Sequence, residues 1–69
     1  MPTAVEQVIE YLMQDIAALE ARAQKAEALL PHLAKRYHER WKAAIASTLQ
    51  QAKELNALLQ EIQKDHPGN

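Results

Sequence analysis

The sequence predicts an all-α protein: a two-helix antiparallel hairpin, coiled-coil-like, that pairs into a four-helix bundle. Three observations point there. The 69 residues are rich in Ala, Leu, Gln, Glu and Lys with a single glycine, Gly68, a composition that favours helix along the chain. Apolar residues recur in alternating steps of four and three, the spacing of a coiled-coil seam. The steps lose phase at one place, beside Pro31.

The first helix is expected over about 3–30. Thr3-Ala4-Val5-Glu6 reads as a capping box, with the Thr3 hydroxyl accepting from the Glu6 N–H. The seam then runs Val5, Ile9, Leu12, Ile16, Leu19, Ala23, Ala26 and Leu30. A second seam runs His38, Trp41, Ile45, Thr48, Ala52, Leu55, Leu59 and Ile62, one residue out of phase with the first.

Pro31 explains the break. It lacks an N–H and its ring crowds the carbonyl of Glu27. It either opens a second helix over about 31–65 at that helix's first position, or kinks one long rod. No Gly, Asn, Asp or Ser marks a turn at Leu29-Leu30-Pro31-His32, which argues for the rod. Folding the chain back, so that opposed residue numbers add to about 62–64, argues for the hairpin. Trp41 then faces Ala23, Leu12 faces Ala52, and four opposite charges meet in one register: Glu27 with Arg36, Glu20 with Lys42, Glu10 with Lys53, Lys25 with Glu39. We favour the hairpin and hold the kinked rod as the alternative. Asp65-His66-Pro67-Gly68-Asn69 ends the second helix and leaves a short frayed tail at 66–69. Residues 1–69 thus read as a single domain.

So small a chain usually needs a staple or a partner, and with no cysteine the staple cannot be a disulfide. Near the open end the apolar stripe is wider than two helices can cover: Val8 and Tyr11 flank Val5, Ile9 and Leu12, and Leu58 flanks Leu55, Leu59 and Ile62. Tyr11 apart, these eight residues are the expected dimer or partner interface.

The segment near the proline differs. Lys35, Arg36, Tyr37, Arg40, Trp41 and Lys42 interleave bases with aromatics, a pattern that suits a protein hot spot or a nucleic-acid backbone. The plainer reading is that the bases neutralise acidic residues of the first helix and Trp41 fills space over an alanine. A net charge of −1 disfavours nucleic acid as the partner.

Chemistry is hard to find. His32 and His38 lie six apart, on different faces of a helix and not at chelating spacing. Ser47 and Thr48 have no base at helical spacing, and Thr48 is expected to bond a carbonyl one turn back. We therefore expect no catalytic residue, no metal and no cofactor. No apolar run reaches the about 18–20 residues of a membrane span. The N-terminus has no positive region and meets Glu6 and Glu10 at once, unlike a signal peptide. The expected protein is a cytoplasmic interaction module: a homodimer, or an adaptor, chaperone or inhibitor of a helical partner. A small nucleic-acid-binding regulator using 35–42 is the alternative.

Overall fold

The computed structural model describes residues 3–66. Helix α1 spans Ala4–Leu29 and helix α2 spans His38–Asp65. Two 3-10 turns, Leu30–His32 and Lys35–Tyr37, join them. The helices pack against each other, and the chain is a helical hairpin with no strand among the described residues. The kinked rod is not adopted.

Local chemistry sets the ends. Glu6 N–H donates to the Thr3 hydroxyl at 3.1 Å, and Gln7 N–H donates to the Thr3 carbonyl at 3.0 Å. These are the cap and the first helical bond expected of an N-cap threonine. At the far end of α2, His66 N–H donates to the Ile62 carbonyl at 3.1 Å. Residues 67–69 of the expected tail lie outside the described residues.

Pro31 shapes the far end of α1. It has no N–H to offer the Glu27 carbonyl one turn back. Leu30 N–H instead donates to Glu27, tightening the last turn. The Ala26 carbonyl, which a helix running through Leu29 already pairs with the Leu30 N–H, also accepts the indole Nε1–H of Trp41 at 2.7 Å. The chain then turns through Leu33, which is extended. Two bonds hold the way back: Tyr37 N–H to the Ala34 carbonyl at 2.9 Å, and His38 Nε2 to the Leu33 carbonyl at 2.9 Å. A carbonyl only accepts, so Nε2 carries the proton in that bond.

Three expectations need correction. The second α-helix begins at His38, not at Pro31, because the reversal consumes the intervening residues as 3-10 turns. The register moves with it. Ala26 lies beside Trp41, and Ile16 and Ala52 line one groove, so opposed numbers add to about 67–68 instead of about 62–64. The midpoint of a hairpin's connection sets its register, and that midpoint falls between Leu33 and Ala34 rather than at Pro31. The shift is about one helical turn, which moves Glu27–Arg36, Glu20–Lys42, Glu10–Lys53 and Lys25–Glu39 out of direct opposition.

The seams themselves lie where the spacing places them. Every residue of both is buried or half-buried, and outside them only Glu6 and Leu33 share that state among the described residues. Leu12, Leu19, Ala23, Ile45, Ala52 and Leu59 form the core. Ala23, 2% exposed, is the most enclosed. Thr48 interrupts the apolar seam at little cost, since its hydroxyl donates to the Ala44 carbonyl at 3.0 Å.

Candidate interaction site

A two-helix seam has two flanks, and the residues beside the grooves identify them. Asp15, Arg22 and Gln51 border one groove, and Arg22 and Ala44 border its continuation under Trp41. This is the first flank. Glu20, Leu49 and Asn56 border a groove of about 600 Å³ on the second flank. Because seven residues make two helical turns in a coiled coil, each flank extends as a row of every seventh residue. On the first flank α1 carries Val8, Asp15, Arg22 and Leu29, and α2 with its preceding turn carries Tyr37, Ala44, Gln51 and Leu58. On the second flank α1 carries Glu6, Met13, Glu20 and Glu27.

The eight expected interface residues divide on this frame. Leu12 and Leu59 belong to the hairpin's own core, and Val5, Ile9, Leu55 and Ile62 are half-buried along the seam. Val8 and Leu58 remain 47% and 44% exposed. They end the two rows of the first flank toward the open end. Leu29 and Tyr37, 45% and 39% exposed, end the same two rows toward the closed end. Leu29 was missed in the sequence, because a lone leucine beside Leu30 and Pro31 reads as part of a turn. The signal that finds it is the seven-residue row from Val8.

The basic-aromatic segment is split. Trp41 lies half-buried on the seam with its N–H given to Ala26. Arg36 and Arg40 hold their guanidinium carbons 4.9 and 5.5 Å from the centre of the Tyr37 ring, and Arg36 donates to the Tyr37 hydroxyl at 3.1 Å. Such cation–π contacts at exposed sites are worth about 0.5–1 kcal/mol. Leu33, Tyr37, Arg40 and Trp41 enclose a shallow hollow of about 340 Å³ at the closed end. Lys42 falls on the second flank, in the row of Leu49 and Asn56, away from Tyr37. Lys35 is exposed in the second 3-10 turn.

His38 donates to a backbone carbonyl, and both the neutral Nε2–H tautomer and the imidazolium can do so. Among the described residues no group of three His, Cys, Asp or Glu is placed to hold a metal ion. No helix there is long and apolar enough to cross a membrane.

No family model, curated protein or solved structure matches this chain.

Two quantities describe how little the hairpin encloses. Its radius of gyration is 15.8 Å, against about 11 Å for a compact chain of this length. Its accessible surface is 5580 Å², against about 4,400 Å² for a compact monomer of this mass.

Proposed function

We propose that this chain is a non-catalytic protein-interaction module of the cytoplasm. It pairs with a second copy into a four-helix bundle, and serves as a small adaptor, chaperone or inhibitor of a larger helical protein. One observation carries the reading: among the described residues no large side chain is fully buried by the hairpin alone. A chain this small has little stability to spare, and a second apolar layer over Val8 and Leu58 would supply what its own seam lacks. The surplus of accessible surface, roughly 1,200 Å², exceeds the about 800 Å² that each partner contributes to a standard interface.

Sedimentation of the parent chain and of Leu58→Glu tests this. The parent is expected to sediment as a dimer at tens of micromolar, with a melting temperature that rises with concentration. Leu58→Glu places a charge in the contact while sparing Leu55 and Leu59, and is expected to sediment as a monomer of lower helicity. A parent chain that is a stable monomer at these concentrations overturns self-association.

A second reading draws on the uneven charge. Residues 20–47 hold six basic and three acidic side chains, so the closed half could meet a nucleic-acid backbone through Lys35, Arg36, Arg40 and Lys42. Binding that falls steeply with salt would favour it.

A further inference from the structure

The α1 row of the first flank is complementary to itself when laid antiparallel. On α1 it reads Val8, Asp15, Arg22, Leu29: apolar, acidic, basic, apolar, at even spacing. All four side chains are exposed, and Asp15 and Arg22 border the same groove. Laid antiparallel on a copy of itself, this row sets Val8 against Leu29 at both ends and Asp15 against Arg22 twice in the middle. The same rotation brings Leu58 toward Tyr37 of the other copy. We propose that the occupant of this flank is a second copy of the chain laid head to tail, the open end of each hairpin on the closed end of the other. The proposal rests on the self-association argued above and specifies its geometry.

Two observations choose this arrangement. The second flank cannot pair with itself in the same way, because its α1 row holds Glu6, Glu20 and Glu27, and an antiparallel copy would bring Glu6 against Glu27. The other two-fold arrangement, open end on open end, also matches apolar ends, but it leaves Asp15 and Arg22 facing Gln51 and Ala44 and stacks halves of like net charge. Residues 3–19 and 48–66 hold six acidic and two basic side chains, whereas residues 20–47 hold three acidic and six basic. Head-to-tail stacking lays the acidic half of each copy on the basic half of the other; open-to-open stacking lays acid on acid. Complementary potentials of this kind select orientation.

Charge exchange tests the orientation. Asp15→Arg and Arg22→Asp each turn an attraction into a repulsion at two symmetry-related contacts. Each is expected to weaken dimerisation about tenfold or more at low ionic strength. The double variant, with the pair exchanged, is expected to return to within about threefold of the parent. Both positions are exposed, so equal helicity of the monomers by circular dichroism separates pairing from folding. A spin label at Ala4 supplies an independent reading. Head to tail, the two labels of a dimer stand 29 positions apart along the axis, about 43 Å, whereas open-to-open stacking leaves only the width of the bundle, under about 25 Å. A dimer indifferent to all three charge variants, or one with the short label distance, overturns the head-to-tail arrangement and leaves self-association standing. A monomeric parent chain overturns both.

Discussion

The indole N–H of Trp41 donates to the backbone carbonyl of Ala26 across the hairpin, 2.7 Å away. A carbonyl oxygen has two lone pairs, so the Ala26 oxygen can serve its own helix and the tryptophan of the neighbouring one.

The strength of this link can be measured. Trp41→Phe keeps most of the packing and removes the donor, and is expected to cost about 1 kcal/mol in urea unfolding. Trp41→Ala also empties the seam, and is expected to cost about 3 kcal/mol. A Trp41→Phe variant as stable as the parent would show that the hydrogen bond adds nothing to the packing.

Spin labels at Glu10 and Lys53, in chains diluted with unlabelled protein, are expected to read a short distance, under about 25 Å. A nearly straight helix would hold them about 65 Å apart, and a distance near that value in the dilute mixture would contradict the fold.

Ala23 is the most enclosed side chain of the seam, 2% exposed, and the helices approach across it without room for more atoms. Ala23→Leu is expected to destabilise the hairpin by about 1–3 kcal/mol, read as a lower urea midpoint at unchanged slope. An increase in stability would show that the seam has space there.

Thr3→Ala removes the acceptor for Glu6 N–H. The expected loss is about 1 kcal/mol, with helicity lost from the first turn of α1. Thr3→Asp should retain most of the stability, since a carboxylate can accept the same bond.

The seams were legible in the sequence because each position is fixed by a repeat that only one face of a helix can satisfy; Val5 to Leu30 and His38 to Ile62 needed no knowledge of the turn. The register was not. Sliding one seam along another by about one turn again lays apolar residues on apolar residues, so Trp41 packs plausibly over Ala23 or Ala26. The choice between them belongs to the connection, and Leu33 to Tyr37 contain no glycine or asparagine to announce a turn. The candidate surface was legible in half. Val8 and Leu58 stood out as apolar flanks of an apolar stripe, whereas Leu29 and Tyr37 join the same face only once the chain is known to double back after Pro31.

The ends of both helices at Ala4 and Asp65 lie together at the open end, and this has a mechanical consequence. A load applied between them pulls across the seam, not along it, so the helices part like a zipper from Val5 and Ile62 inward. Layers separate singly, each resisting with its own few side chains, and the last to yield is the tryptophan clasp at the closed end. Tension along one helix would instead strain its backbone hydrogen bonds all together. Anchored by both arms, the hairpin would open at low force and reclose readily on a turn that the load reaches last.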